Sequence, residues 1–289
     1  MDGVLNIYKP IGITSFDVIR NIRKICNTSK IGHTGTLDPL ATGVLPICIG
    51  KATKVVELIM NDYKVYKAEL KLGIITDTYD REGKILEVNN VNVQREQVED
   101  CIRSFVGTIL QVPPMYSAIK VNGKKLYELA RQGIEIPRDP RSITIYEIDI
   151  LDINIPFVTF EVKCSKGTYI RSLCYDIGNK LGCGGTMWNL ERIQSGNFTK
   201  DTSVEVNNLN TDNLMEHLIP LDKVFDNYTS IVVDNKVEKL LINGVRVSNK
   251  NLLNGIDQNK MYRIYNQDNM FLGLGSRNED GFKIEKLLL

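Results

Sequence analysis

The chain has 289 residues, of which 43% are hydrophobic and 25% charged, and its formal net charge at neutral pH is +1. This length suits one large domain with a smaller one, and the composition is that of a globular protein, which excludes a disordered chain. No apolar run approaches the roughly 20 residues needed to cross a bilayer, and the N-terminus MDGVLNIYKP lacks the basic and apolar regions of a secretory signal.

The first predicted element is a helix that begins near Thr14 and Ser15, either of which can cap it. Asp17, three residues after Thr14, fits a capping box. The apolar positions that follow at helical spacing are Ile19, Ile22, Ile25 and Cys26. Beyond a loop, ATKVVELIM at positions 52–60 predicts a second helix.

Two strands and a helix are predicted in the middle of the chain. Tyr63–Leu72 alternates apolar and charged residues, which predicts a strand with Tyr66 on its inward face. Phe157–Cys164 alternates in the same way, and Tyr169–Leu181 carries a helical apolar stripe that Gly182 ends. Strands and helices that mix without regular alternation predict an α+β fold with a mixed sheet.

The C-terminal part predicts a short helix followed by strands. Asp234 can cap a helix with Val237, Leu240 and Leu241 on its inward face, closed by Gly244. Four strand-like runs follow, GVRVS, KMYRIYN, MFLGLG and FKIEKLLL. They favour a small β-barrel with a helix, and a generic β subdomain that only buries apolar surface is the alternative.

One acid stands among bases near the N-terminus. From Arg20 to Lys54 the chain has six lysines and arginines, and Asp38 is its only acidic residue. Pro39 restricts the backbone directly after this acid, and glycines flank the loop. An ionised carboxylate on a stiff loop in a positive field could be a nucleophile facing a polyanion. A turn residue before proline is the commoner explanation of such an aspartate, and the residues alone favour it.

Charge is uneven elsewhere too. Lys120–Arg141 holds six basic and three acidic residues, whereas Asp201–Asp226 holds six acidic residues and one lysine. A near-neutral chain arranged in this way can present a basic face to nucleic acid, although solvated surface charge explains any single run equally well.

Cysteines and histidines offer no metal site. The six cysteines form no C-x-x-C pair, and His33 and His217 are the only histidines. This spacing is poor for zinc, and reduced thiols in a cytoplasmic protein are the expected state. The phosphate-binding P-loop and G-x-G-x-x-G patterns are also missing from the sequence.

Arg171 lies in the first turn of its predicted helix, where the helix dipole disfavours a cation by about 0.3–1 kcal/mol. An anion facing it would explain the position, and an exposed arginine bonded to water is the simpler alternative. Taken alone, Tyr66 and Leu190 are ordinary core residues, and His33 is a turn histidine.

Four long motifs favour functional roles for these residues over the simpler explanations. In chain order they are LNIYKPIGITS (Leu5–Ser15), GHTGTLDPLATG (Gly32–Gly43), PPMYSAIKVNGKKLYELARQGIEIPR (Pro113–Arg138) and CSKGTYIRSLCYDIGNKLGCGG (Cys164–Gly185). They resemble, in the same order, the TruB family of bacterial tRNA pseudouridine-55 synthases. The resemblance covers about the first two thirds of the chain and weakens after roughly Lys200.

The resemblance implies the organisation of the chain. Residues 1–228 would form the mixed-sheet α+β catalytic domain of a pseudouridine synthase, with an RNA-clamping insertion at about 120–142. Residues 229–289 would form a small PUA-like β domain. The reaction would be isomerisation of uridine 55 in the T-loop of tRNA, without cofactor or metal. No feature of the sequence suggests an obligate dimer or protein partner, so a monomer is the default expectation.

The resemblance also implies residue roles. Asp38 would be the nucleophile, Arg171 its partner, and Tyr66 a ring that stacks on the flipped target base. His33 would fill space left by extruded nucleotides, Tyr169 and Leu190 would line the uridine pocket, and Lys9 with Pro10 would support it. The phosphate contacts would come from Lys124, Lys125 and Arg131.

Two other functions stay open at this point. One is an RNA-binding protein that folds tRNA without essential catalysis, using the same basic face. The other is a metabolic enzyme that acts on a phosphorylated small molecule, which would bind with little dependence on salt.

Overall fold

The computed structural model describes residues 1–60, 63–121 and 123–289, with the backbone alone for Lys250 and Asn251. Its α-helices are α1 (Ser15–Cys26), α2 (Val56–Met60), α3 (Arg95–Arg103), α4 (Leu126–Ala130), α5 (Ile170–Lys180), α6 (Leu214–His217), α7 (Leu221–Val224), α8 (Asn235–Ile242) and α9 (Lys250–Leu253). Short 3-10 helices cover Gly50–Val55, Lys200–Thr202 and Val206–Asn208. Among the described residues, no helix is long and apolar enough to span a membrane.

The strands form one large sheet and three small ones. They are β1 (Gly3–Lys9), β2 (Ile31–His33), β3 (Thr42–Ile49), β4 (Lys64–Leu72), β5 (Ile74–Thr76), β6 (Ile85–Val88), β7 (Gly107–Gln111), β8 (Lys120–Val121), β9 (Lys124–Lys125), β10 (Arg141–Asn154), β11 (Phe157–Cys164), β12 (Gly185–Ser195), β13 (Phe198–Thr199), β14 (Val204–Glu205), β15 (Leu218–Ile219), β16 (Ser230–Val232), β17 (Met261–Tyr265), β18 (Phe271–Asn278) and β19 (Gly281–Leu287).

The large sheet is mixed. Its main order is β14-β1-β3-β12-β4-β11-β10-β7, and β12 pairs parallel with β3 but antiparallel with β4. The predicted strands at Tyr63–Leu72 and Phe157–Cys164 are confirmed as β4 and β11, which pair with each other in the middle of the sheet. With helices packed against this sheet, the predicted α+β class is confirmed.

The strands near one end of this sheet are buried differently from those in its middle. On β1 and β3, Leu5 and Ile47 face the main core, whereas Val4 and Val44 face a second core that includes Leu274. On β4 and β11 the buried positions alternate with exposed or partly exposed ones, as on a sheet with one covered face. The strands next to the C-terminal part are therefore apolar on both sides, and the central ones on one.

Two of the predicted helix starts have different outcomes. Thr14 accepts a hydrogen bond from the Asp17 amide and Asp17 returns one to the Thr14 amide, which confirms the predicted capping box of α1. The predicted helix at positions 52–60 starts as the 3-10 helix Gly50–Val55 and becomes α-helical only at Val56.

The C-terminal sheet corrects three predictions. GVRVS is not a strand, because only Val247 bridges to Phe282, and the remaining strand of the sheet is β16, parallel to β17. The strands form a four-stranded sheet in the order β16-β17-β18-β19, where a small barrel was expected. Leu240 is 36% exposed, since α8 buries only its narrow Val237 and Leu241 side.

The insertion expected at about 120–142 has its own small core. β8 and β9 form a hairpin that leads into α4, and Leu126 and Leu129 pack with Met115. Asn122, part of the NGKK motif, lies outside the described residues.

Candidate functional site

A cavity of about 840 Å³ opens between the Asp38 loop, the start of α5 and the insertion. Its walls come from sequence-distant elements, and its ionisable side chains comprise six cations and three anions: Lys64, Lys125, Arg131, Lys166, Arg171 and Arg192 against Asp38, Asp80 and Glu82. The excess of positive charge suits an anionic ligand.

The Asp38 loop, residues 34–41 between β2 and β3, is tied down on both sides of the acid. Leu37 and Leu40 are buried in the main core. The Ser15 hydroxyl accepts from the Leu37 amide at 2.8 Å and donates to the Leu37 carbonyl at 3.0 Å. The carboxylate itself stays 33% exposed toward the cavity. Asp38 is therefore a fixed group with an open face, as a nucleophile requires.

Arg171 forms a two-point ion pair with this carboxylate. Its Nε lies 3.0 Å from Asp38 Oδ2, and its Nη2 donates to Asp38 Oδ1 at 3.3 Å. The same Nη2 donates to the Tyr116 carbonyl at 2.8 Å, and Nη1 donates to the Thr78 carbonyl at 3.4 Å. A two-point contact of this kind fixes the plane of the carboxylate as well as its position.

Asp80 is a second carboxylate on the same guanidinium. Its Oδ2 lies 3.5 Å from Arg171 Nη1, and its Oδ1 accepts from the Thr78 hydroxyl at 2.7 Å and the Glu82 amide at 3.1 Å. Burial raises the pKa of Asp80, while the Thr78 hydrogen bond and the Arg171 charge act in the opposite direction. Arg171 is itself buried at the N-terminal end of α5, so these two anions explain a cation in the first helical turn.

Tyr66 and Arg192 face each other across the centre of the sheet. The register of β4 and β12 puts them opposite one another, and both line the cavity. Arg192 is fully buried and donates to the carbonyls of Val44, at 2.6 Å, and Gly35, at 3.1 Å. Burial raises the pKa of Tyr66, with a smaller opposing effect of the Arg192 charge, so the hydroxyl is protonated at neutral pH.

Gly43 permits this arrangement. Its φ is +111°, and a Cβ built on it would lie 2.2 Å from the Arg192 carbonyl oxygen. Any larger residue would push β3 away from β12, and with it the loop carbonyl that Arg192 holds.

Three further predicted residues lie on the cavity wall: His33, Tyr169 and Leu190. His33 Nδ1 accepts from the Gly35 amide at 3.2 Å, and burial lowers the pKa of His33, so the imidazole is neutral. The backbone of Tyr169 is fixed by Gln111, whose side chain binds both its amide and its carbonyl.

The predicted lysines and arginine separate into different positions. Lys125 and Arg131 line the cavity from the insertion, whereas Lys124 is exposed outside it. Lys9 is fully buried and does not reach the cavity. Its ammonium donates to the carbonyls of Pro10 at 2.9 Å, Ile13 at 2.8 Å and Pro39 at 3.4 Å, and burial lowers its pKa to about 8. Lys9 therefore stabilises the Asp38 loop through its hydrogen bond to the Pro39 carbonyl.

Asp80 and Arg192 are not predicted from the sequence. Asp80 belongs to TDTYDREG, which has the composition of a solvent-exposed turn. For Arg192 a signal exists, because Leu190 and Arg192 are two residues apart on β12 and share a face. Assigning that strand would have placed the arginine beside the uridine pocket that the family implies for Leu190.

The arrangement offers polar chemistry without a metal cage. No group of three or more His, Cys, Asp or Glu side chains suited to a metal ion occurs in the described part of the chain. The cavity provides a carboxylate oriented by Arg171, a protonated tyrosine, and lysine and arginine side chains along its lining. It can hold a flat ring against Tyr66 while Asp38 approaches an attached sugar.

Family models match most of the chain. The model of the TruB family pseudouridylate synthase N-terminal domain matches residues 23–170, and that of the tRNA pseudouridylate synthase B C-terminal domain matches residues 171–226. Proteins named tRNA pseudouridine synthase B are similar over the full length, with 64% identity in Clostridium novyi and 63% in Clostridium acetobutylicum, covering 100% of each chain. One from Alkaliphilus oremlandii is 46% identical, over 97% of this chain and 95% of the relative.

Solved structures of greater sequence distance share the fold. The crystal structure of a Cbf5-Nop10-Gar1 complex contains a chain that is 26% identical, with a TM-score of 0.74, covering 99% of this chain and 85% of that one. In an H/ACA RNP bound to a substrate RNA, a chain matches with 24% identity and a TM-score of 0.73, covering 99% of this chain and 85% of that one. With both family models and full-length relatives in agreement, the chain belongs to the TruB family of pseudouridylate synthases.

Proposed function

We propose that the chain isomerises the uridine at position 55 in the T-loop of tRNA, with Asp38 as the nucleophile. As a member of this family whose full-length relatives are tRNA pseudouridine synthases, it is an isomerase of tRNA uridine. The target position and the residue roles are the proposal. The observation that supports them is the two-point contact of Arg171 with the partly exposed Asp38 carboxylate in a positively charged cavity.

The reaction needs no outside reagent. The bond from the ribose C1′ to N1 of the base breaks, and a bond from C1′ to C5 forms. The C5 hydrogen leaves as a proton, and N1 gains one, so the composition does not change. Asp38 would either attack C1′ directly or remove a sugar proton to give a glycal. Both routes use an ionised carboxylate next to the ribose.

Tyr66 and Arg171 would assist in different ways. The Tyr66 ring lies on the cavity wall beside Leu190, where a base could stack. Since the pKa of Tyr66 is raised, its hydroxyl would donate a hydrogen bond before it takes part in proton transfer at C5. Arg171 would hold the carboxylate in one orientation through the reaction.

The substrate uridine must leave its stack, because atoms inside a folded loop are out of reach. The cavity of about 840 Å³ offers room for an extruded base, and Lys125 and Arg131 of the insertion are among the residues that line it. We infer that the insertion closes over the RNA backbone, and that the folded shape of the T-arm supplies most of the specificity.

The direct test is conversion of an unmodified tRNA transcript that carries tritium at C5 of its uridines. Because the C5 hydrogen is released in the reaction, tritium should appear in the solvent in an amount equal to one uridine per transcript. Mapping of the product should place pseudouridine at position 55 alone. A transcript with cytidine at that position serves as the control and should release none.

Two outcomes would contradict the proposal. Tritium release from the cytidine transcript would mean that another uridine is the target. Tight binding of the transcript without any release would leave only an RNA-binding protein that folds tRNA.

Binding should weaken steeply with salt, since phosphate contacts release counterions. Each neutralised phosphate contributes about −0.7 to −0.9 to the slope of log affinity against log salt concentration. Lys125→Ala and Arg131→Ala are each expected to reduce the slope by about 1, measured by fluorescence anisotropy with a labelled T-arm. Lys84→Ala, which removes an exposed lysine that does not line the cavity, is the matched control and should keep the wild-type slope.

An unchanged slope in both cavity variants would contradict a clamping role for the insertion. A slope near zero in the wild type would contradict RNA as the substrate and would favour a small phosphorylated molecule.

The proposal extends to the organisation of the chain. Residues 229–289 carry their own apolar core, which includes Val237, Tyr262 and Phe282, and this supports a separate PUA-like domain after residue 228. Action as a monomer in the cytoplasm is also proposed, in keeping with a tRNA substrate and with six free cysteines.

A further inference from the structure

Phe16 is an exposed aromatic side chain at the rim of the cavity. It lies in the first turn of α1, its side chain is 51% exposed, and it lines the same cavity as Asp38. Neither the core nor the reaction described above uses it. A single exposed apolar residue is common on protein surfaces, so the surroundings of Phe16 decide whether it has a role.

The position of Phe16 is fixed relative to the catalytic loop. The preceding residue, Ser15, exchanges two hydrogen bonds with Leu37, the residue before Asp38. The Gly12 amide donates to the Pro39 carbonyl at 2.8 Å and closes the other side. Phe16 directly follows Ser15, Asp38 directly follows Leu37, and Ser15 and Leu37 are hydrogen-bonded to each other. A ligand that contacts Phe16 is therefore held in a fixed geometry relative to Asp38.

Two arginines border the Phe16 ring. The guanidinium carbons of Arg20 and Arg23 lie 5.2 Å and 5.8 Å from its centroid. Arg20 is paired with Asp17 at 2.9 Å, whereas no carboxylate in the described part of the chain lies within ion-pair distance of Arg23. Lys24 is exposed on the same helix. The ring therefore sits in a positive field rather than in an apolar patch.

This combination selects the chemistry of the ligand. An apolar peptide or lipid would gain little beside two guanidinium groups, whereas a nucleotide brings both a flat ring and a phosphate. The cavity is in the upper part of the range of about 300–1,000 Å³ for ligand sites, which leaves space beyond the target base. An unpaired base is also the part of an RNA that proteins stack on aromatic side chains.

We propose that Phe16, with Arg20 and Arg23, forms a second nucleotide subsite at the mouth of the cavity. It takes an unpaired base that neighbours the target uridine, with Phe16 stacking on the base and Arg23 contacting the phosphate. This inference rests on the proposed function, since it requires an RNA whose target uridine lies in the cavity. It adds a contact that selects a loop with more than one extruded nucleotide.

The test compares Phe16→Ala, Phe16→Leu and Phe16→Trp for binding to a T-arm with a fluorescent base analogue beside the target. Wild type should quench the analogue by stacking, and Phe16→Trp should retain the quenching. Phe16→Ala and Phe16→Leu should both abolish the quenching and raise the Kd by about 5- to 100-fold. The KM should rise by the same factor. Leucine keeps the apolar contact, so only stacking separates it from tryptophan.

The controls isolate each part of the subsite. Tyr146→Ala removes an aromatic ring that is 52% exposed on β10 and away from the cavity, and it should leave Kd and quenching unchanged. Arg23→Gln should lower the salt slope by about 0.7 to 0.9, whereas Phe16→Ala should not change it. Thermal unfolding of every variant checks that the exposed substitutions leave the fold intact.

Equal Kd and equal quenching in wild type and Phe16→Ala would overturn the subsite, and so would full quenching in Phe16→Leu. These comparisons are separate from the proposed function, which wild-type conversion of the transcript tests by itself. A wild type that converts uridine with an unaffected Phe16→Ala variant would therefore remove only this inference.

Discussion

Asp38→Asn is expected to reduce pseudouridine formation by at least about 10⁴-fold, since removing a nucleophile leaves only binding and electrostatic effects. The amide is nearly isosteric and its single oxygen can still accept a hydrogen bond from Arg171, but it carries no charge to attack C1′ or to remove a proton. Binding of the tRNA should remain, because the cavity cations are unchanged. Single-turnover tritium release and anisotropy measure the two quantities on the same transcript.

The control for this prediction is Asp149→Asn, the same chemical change on an exposed residue of β10. It should convert tRNA at the wild-type rate. Conversion by Asp38→Asn at even one hundredth of that rate would assign the chemistry to another group. Loss of both conversion and binding, with a lowered unfolding temperature, would instead indicate damage to the loop that Leu37 and Ser15 anchor.

The sequence predicts strands where one face of the sheet is open. On β4 and β11, charged residues alternate with Tyr66, Phe160 and their neighbours, so the period of two is visible. The alternation is missing on β1 and β3, because their second face is covered by the core that includes Leu274. Their near-continuous apolar runs carry no period from which a strand could be recognised.

Bulges hide other strands. β10 shifts register between Ile145 and Glu147, and again between Ile150 and Asp152. β12 shifts between Met187 and Asn189 and between Arg192 and Gln194. Each shift reverses which residues face the core, so a fixed period cannot follow the strand. β12 is the strand that brings Leu190 and Arg192 to the cavity. These two residues keep the period of two between the shifts, but a regular stretch this short does not identify the whole strand from the sequence.

The site itself is assembled by topology. Asp38 and Arg171 are 133 residues apart, and periodicity gives no reason for them to meet. A resemblance in two motifs links them, and the structure puts their charged atoms 3.0 Å apart. No motif points to Asp80. It differs from Asp77, an exposed aspartate in the same turn, only in being buried. Burial is a property of the folded chain and is absent from local composition.

The planar guanidinium of Arg171 joins three segments that are distant in the sequence: the Asp38 loop, Tyr116 and the turn that holds Thr78 and Asp80. Its Nε and Nη2 hold Asp38, the same Nη2 holds the Tyr116 carbonyl, and Nη1 holds Thr78 and Asp80. A lysine places one ammonium at the end of a flexible chain and cannot make these contacts together. The orientation of Asp38 and the pairing of Asp80 therefore depend on the shape of the guanidinium as well as on its charge.

Arg171→Lys is accordingly expected to slow conversion by about 10²-fold or more, the effect of a displacement of about 1 Å at a reacting group. The free energy of unfolding should fall by about 1–3 kcal/mol, because buried acceptors lose donors. The affinity for tRNA should change little, since the ammonium keeps the charge. Single-turnover rates, urea unfolding and anisotropy separate these three effects.

Matched variants decide between orientation and general damage. Arg103→Lys, on an exposed residue of α3, should behave as wild type in every assay. Asp80→Asn keeps the hydrogen bond from Thr78 while removing the second charge on the guanidinium, and it should slow conversion by about 10- to 100-fold. Because both changes act through the same contact, the double variant should lose less than the product of the two single effects. Independent, fully multiplicative losses would show that Asp80 acts on the reaction without Arg171, and near-wild-type conversion by Arg171→Lys would show that Asp38 needs the charge but not the two-point contact.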